Sequence, residues 1–197
     1  MKKKILIPVF VVLFLAVAAA GFFWWWQGRE IKGSPQDYVI KETEEGKFVE
    51  NKKAGLTVKV PEGWRTQRIE FLAGSVVFST SDIEGRWEDK MIKAPLKRGC
   101  TIETAVVYKD FNFEELKEEI KEIHAGLGIL SEEIEIITIN NRQAFENTFD
   151  SKSIGPGMAI YFLDKNKTYS FALYWAPDDK GKCIQEFDKF LETISIK

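Results

Sequence analysis

The side chains able to do chemistry are few and far apart. His124 is the single histidine among 197 residues. A Ser–His–Asp hydrolase needs nucleophile, base and orienting acid within hydrogen-bond reach of one another. Ser79, Thr80, Ser81 and Asp82 offer hydroxyls and an acid, but no spacing brings them to His124. One histidine and two cysteines match no zinc pattern. Gly155-Pro156-Gly157 lacks the lysine–threonine tail of a phosphate cradle, and no G-x-G-x-x-G is present. Glu114, Glu115, Glu118, Glu119 and Glu122 could draw a cation. With Lys117 and Lys121 among them they read instead as a solvated helix face. The expectation is a protein with no catalytic residue, no cofactor and no metal. Its net charge of −2 gives no electrostatic case for nucleic acid.

Contact chemistry is better represented. Residues 81–100, SDIEGRWEDKMIKAPLKRGC, interleave Arg86, Lys90, Lys93, Lys97 and Arg98 with Trp87, Met91 and Leu96. One reading is a loop that touches an acidic partner or lipid headgroups through Arg86, Trp87, Lys90 and Lys93. The other is an ordinary long loop with one aromatic tucked inward. Cys100 and Cys183 would pair in an oxidising compartment, or stand as two separate thiols, since a bridge depends on Cα distances. Phe145, Phe149, Tyr161, Phe162, Tyr169, Phe171, Tyr174 and Trp175 could line a pocket for a small apolar ligand. At strand spacing such side chains are more often a plain core.

These residues are positioned by what precedes them. Lys2, Lys3 and Lys4 lead into an uncharged apolar run from Ile5 to Trp26. At about 1.5 Å per residue the run makes a helix of about 33 Å, matching a hydrocarbon core of about 30 Å. Trp24, Trp25 and Trp26 close it with indoles that favour the membrane–water boundary. Residues 1–27 are therefore expected to be an uncleaved single-pass anchor. Its lysines lie in the cytoplasm, and the rest of the chain lies outside it. The bilayer is one partner, through residues 5–26, and an unknown protein is the other. A cleaved secretory signal is the rival reading, given Ala16-Val17-Ala18 and Ala18-Ala19-Ala20. Against it, the run outlasts the 7–15 residues or so of a signal core. Residues 28–53, with Glu42, Glu44 and Glu45, are expected to form a polar stalk that holds the domain off the bilayer, with a short strand at Tyr38–Ile40.

Residues 54–197, about 145 in number, suit one domain with one core. Leu56, Val58 and Val60 alternate with polar residues as a half-buried strand, which Pro61 and Gly63 end. Two more strands are expected over 67–71 and 75–79, and another over 101–108. Asn112 with Glu115 reads as a helix start. Phe113, Leu116, Ile120, Ile123 and Leu127 form that helix's apolar stripe, and Gly126 or Gly128 ends it. His124, near the helix C-terminus, would favour the dipole there as a cation. Strands over 133–139, 143–149, 158–163 and 168–175 follow, joined by turns at Asn140-Asn141 and 164–167. A last helix carries Cys183, Ile184, Phe187, Phe190 and Leu191 inward. Hairpins imply a mainly antiparallel sheet, and two amphipathic helices must cover it, giving an α+β sandwich.

GLTVKVPEGW resembles the opening strand and Pro-x-Gly-Trp turn of the PsbP/Mog1 superfamily. FDKFLETISI is similar to that family's terminal helix running into a serine-containing last strand. The helix after Thr101–Tyr108 and the hairpin ahead of the last helix fit as well, so the resemblance covers most of residues 38–197. It implies the family's α+β fold and a mainly non-enzymatic role. Members include photosystem II extrinsic subunits, a GTPase cofactor of nuclear transport, and exported or membrane-attached bacterial domains. No binding residue of those members maps onto this chain, and a shared fold is a weak warrant for a shared function.

Overall fold

The computed structural model describes residues 33–69, 75–85 and 95–197. The apolar run with Lys2, Lys3, Lys4, Trp24, Trp25 and Trp26 lies outside these residues. So do Arg86, Trp87, Lys90 and Lys93 of the contact loop. Among the described residues no helix is long and apolar enough to cross a membrane.

Among the described residues twelve strands form two antiparallel sheets. The smaller has the order β1-β2-β3-β12, from Tyr38–Thr43, Gly46–Asn51, Leu56–Lys59 and Ser195–Ile196. The larger runs β4 (Arg65–Ile69), β5 (Ser75–Ser79), β6 (Cys100–Val107), β11 (Lys167–Trp175), β10 (Gly157–Asp164), β9 (Arg142–Asp150) and β7 (Leu130–Ser131). β8 (Glu135–Ile139) shares the β9 edge with β7. Two helices complete the fold, α1 (Phe113–Leu127) and α2 (Lys180–Glu192).

Strand alternation splits the large sheet into two unlike faces. Val76, Phe78, Ile102, Val106, Ile160 and Phe171 point to one face. There they merge with Tyr38, Val49, Leu56 and Val58 of the small sheet and Cys183, Phe187 and Phe190 of α2. Phe190 is the hub, with ring centroids 5.2 Å from Phe78, 6.0 Å from Phe171 and 6.3 Å from Phe187. The other face carries a smaller cluster of Phe111, Leu116, Ile120, Ile134 and Phe145 under α1.

The expected strands and helices are present, with one correction at the start of the domain. Of residues 28–53, assigned to a stalk, 33–53 fold into it, and 28–32 lie outside the described residues. Ser34 caps a short 3-10 turn over Pro35–Asp37, and β1 and β2 pair residue by residue from Tyr38↔Asn51 to Thr43↔Gly46. β2 then pairs with β3, and Tyr38, Val49 and Asn51 are all 1% exposed. The acids that suggested a solvated linker sit at the hairpin's far end. Glu44 and Glu45 occupy its turn, and Gly46, at φ 121°, supplies a backbone that other residues resist. Charge at the tip obscured the inward series of Tyr38, Ile40, Val49 and Asn51.

α1 begins with the expected capping box. The Asn112 side chain accepts from Glu115 N–H at 3.0 Å, and Glu115 accepts from Asn112 N–H at 3.0 Å. Gly128, at φ 64°, ends it. The apolar stripe differs from expectation. Leu116 and Ile120 are buried, but Ile123 and Leu127 are 51% and 55% exposed, and His124 turns inward.

Candidate functional site

Cys100 opens β6 and Cys183 lies on the first turns of α2, and they form a disulfide with Cα atoms 5.7 Å apart. Both are fully buried. Around the bridge the backbone is tied down. Cys100 N–H donates to Thr80 Oγ1 at 3.2 Å, and Thr80 N–H donates to Cys100 O at 3.1 Å. Gly99 N–H donates to the Asp179 carboxylate at 2.7 Å, and Ala176 N–H donates to Gly99 O at 3.0 Å. Gly99, at φ 80°, passes so near Thr80 Oγ1 that a Cβ would clash. Glycine is the residue that fits.

The same structure forms the base of the contact loop. Glu84 and Arg98 make an isolated antiparallel bridge, with Lys97 N–H donating to Glu84 O at 2.9 Å. Leu96 is buried, and Gly155 packs against Pro95. The loop thus has a fixed stem beside the disulfide, although Arg86, Trp87, Lys90 and Lys93 themselves lie outside the described residues.

Next to that stem, the α1 face of the large sheet is lined by small residues. Register puts Ala105, Ser170 and Tyr161 in one cross-strand row, and Glu103, Ala172 and Ala159 in the next. Gly157 continues the series, with the Phe149 ring lying where its Cβ would be. Burial raises the Tyr161 pKa well above the ordinary tyrosine value, and Tyr174 and Glu103 raise it further. Tyr161 therefore stays protonated at neutral pH and is no base there. Sequence reasoning missed this row. Its one visible signal was the run of small residues in β10 and β11.

His124 is not the cation at a helix end that its position suggested. It is 8% exposed, its ring lies 5.5 Å from the Phe149 ring, and Nδ1 has no partner. Desolvation lowers its pKa, so the ring is neutral near pH 7. The hydroxyl and acid of a hydrolase reading are engaged elsewhere: the Thr80 hydroxyl holds the Asp82 carboxyl below its ordinary range. Among the described residues no three of His, Cys, Asp and Glu gather where they could hold a metal ion.

The aromatics that could have lined one pocket are divided between the faces. Phe162, Tyr169, Phe171 and Trp175 join the large core, whereas Phe145 and Tyr161 belong to the α1 side. Tyr169 is anchored there, its hydroxyl donating to Ala54 O at 2.6 Å while burial pushes its pKa up to about 12. Clefts of about 190, 300 and 330 Å³ open at the surface. The largest mixes Phe113, Phe145, Phe162 and Leu163 with Arg142, Gln143 and Asp164.

No family model matches the chain, and no curated protein matches it. Solved structures do. Cyanobacterial PsbP (CyanoP) from Synechocystis sp. PCC 6803 is similar over 81% of this chain and 92% of its own, at 11% identity and a TM-score of 0.51. LpqN of Mycobacterium tuberculosis, described as involved in cell envelope biogenesis, matches over 72% of this chain and 83% of its own, at 10% identity and a TM-score of 0.49. A protein of Bacteroides thetaiotaomicron matches over 73% of this chain and 45% of its own, at 10% identity and a TM-score of 0.44. At these identities the likeness is one of architecture, and on that ground the described domain has a PsbP-like fold.

Proposed function

We propose that the chain is a membrane-tethered, extracytoplasmic binding or accessory module that acts by contact, without catalysis, on a protein partner. The observation that carries this reading is the Cys100–Cys183 bridge, buried where the contact-loop stem meets α2. Such bonds persist outside the reducing cytoplasm. That compartment agrees with the Lys2–Lys4 flank and the Trp-ended run from Ile5 to Trp26, the pattern of a single-pass anchor. The stem joins a basic, Trp-bearing loop to the disulfide-braced part of the domain, a suitable mount for a contact surface. A PsbP-like fold is compatible with such a role and does not dictate it.

The test has two parts. Cells expressing the full chain are fractionated, their membranes washed with alkaline carbonate, and free thiols alkylated before and after reduction. The expected result is carbonate-resistant protein whose two cysteines react after reduction alone. Soluble protein with free thiols rejects the placement. Cross-linked partners are then recovered with the wild-type chain and with Arg86→Ala and Trp87→Ala together. Selective loss of one partner is expected, and equal recovery removes the loop from the contact surface.

A further inference from the structure

We infer that the end of the domain nearest the apolar run seats directly on anionic lipid headgroups of the same bilayer. The inference rests on the tethered reading above.

It starts from where the described chain begins. Gly33 lies against the Tyr108 ring and Val106 O, so a Cβ there would be 3.1 and 3.2 Å from them. Tyr108 follows the last residue of β6. Register identifies what shares that end of the large sheet. Val107 is opposite Thr168, Asp164 is opposite Lys167, and Ile139 is opposite Arg142. The β10–β11 turn, the β8–β9 turn and the exit from β6 therefore lie together. The small sheet adds to the same pole, because Lys167 Nζ donates to Ala54 O at 3.1 Å, and Lys197 N–H donates to Gly55 O at 3.0 Å.

The pole is basic. Lys52, Lys53, Arg142, Lys165, Lys167 and Lys197 cluster there, and all but Lys167 are exposed. Lys53 Nζ sits 4.3 Å from the centre of the Tyr108 ring, and Arg142 Nη2 donates to Ile196 O at 3.1 Å, so these stems are held in place. The carboxylates on this side are Asp37, Glu50 and Asp164, with Asp110 just past the exit from β6 and Glu192 beside the β8–β9 turn, where Asn140 Nδ2 lies 3.5 Å from Glu192 O. Asp37 accepts from Ser34 N–H at 2.9 Å, and Glu50 is ion-paired with Lys41. Lys109 is paired with Glu119 at 3.5 Å and adds nothing. Glu114 and Glu115 begin α1, on the other side of the sheet.

Reach completes the argument. Since residues 34–53 belong to the fold, only residues 27–32 separate the indoles from Gly33. Fully extended, that span covers about 25 Å at most, at about 3.6 Å per residue. A compact domain tied by so short a lead must present the pole from which the lead departs. Each cation near an anionic membrane surface contributes about 1 kcal/mol, or about fivefold in binding. The interaction fades beyond a Debye length of about 8 Å in physiological salt.

The experiment uses the full chain in liposomes of phosphatidylcholine, with or without phosphatidylglycerol. Both native cysteines are bonded, so Asn166→Cys at the basic pole and Lys152→Cys at the opposite pole each give one thiol for a fluorophore. Quenching by headgroup-labelled lipid reports proximity. The expected result is strong quenching at 166 and weak quenching at 152. The signal at 166 should fall several-fold without phosphatidylglycerol, at about 1 M salt, where the Debye length is about 3 Å, and in Lys52→Gln/Lys53→Gln/Lys165→Asn. Equal quenching at both poles, or a signal at 166 indifferent to lipid charge and salt, overturns the inference. If carbonate strips the chain from cell membranes while the charge-dependent signal in liposomes persists, the anchor falls and the basic pole stands. Carbonate-resistant protein with charge-indifferent quenching rejects the pole and keeps the anchor.

Discussion

The two faces of the large sheet are built from the same strands and finished differently. One is sealed by a second sheet, a helix and a disulfide, and its aromatic cluster is fully buried. The other is half-covered by α1. Its apolar cluster is small and borders a row of small residues, a neutral histidine is buried without a partner for Nδ1, and Ile123 and Leu127 are left in water. Tight closure on one side frees the other from having to hold the fold together.

If so, substitutions on the sealed side should cost far more than those on the open side. Phe190→Ala removes the ring shared by β5, β11 and α2 and should lower unfolding free energy by about 4 kcal/mol in urea melts. A loss below about 1 kcal/mol would erase the contrast. Replacing Cys100 and Cys183 together by serine should cost about 4 kcal/mol, since the bond closes a loop of 83 residues. The loss should vanish when wild type is measured under reduction. On the open side, Asn112→Ala removes the cap of α1 and should cost about 1 kcal/mol. Native-state hydrogen exchange should show the loss concentrated in α1, with the small sheet unaffected.

The smallest effect is the most diagnostic. The His124 pKa is lowered in the fold, so the unfolded chain binds the proton more readily. The histidine's contribution is therefore intact above about pH 6.5, the unfolded value. It is lost as pH falls from there towards the folded pKa. His124→Leu should flatten that slope and should stabilise the protein more at pH 5 than at pH 8. A slope unchanged by the substitution would mean the acid sensitivity arises elsewhere.

How far these faces could be read from the sequence depended on local signals. The strands of β6, β10 and β11 alternate cleanly, and the Asn112–Glu115 cap is spelled out by two residues. The β1–β2 hairpin was legible in its turn glycine and alternating apolar residues, but its acids suggested solvent. The inward turn of His124 was not legible, because helical spacing allows either His124 or Ile123 to face the sheet. Only the position of Phe149, fixed by β9 pairing with β10, decides between them. The small-residue row has the same origin. Each member is ordinary alone, and cross-strand register brings them together. The Cys100–Cys183 pair likewise depended on a distance that no spacing encodes.

The smaller sheet is closed by a strand far along the chain, with Ser195 opposite Thr57 and Ile196 opposite Leu56. β3 therefore lacks its outer neighbour until the chain has run on through both helices and the large sheet. Pairings between such distant segments form slowly. Until then β3 keeps an unpaired edge, the kind of edge that another chain can pair with.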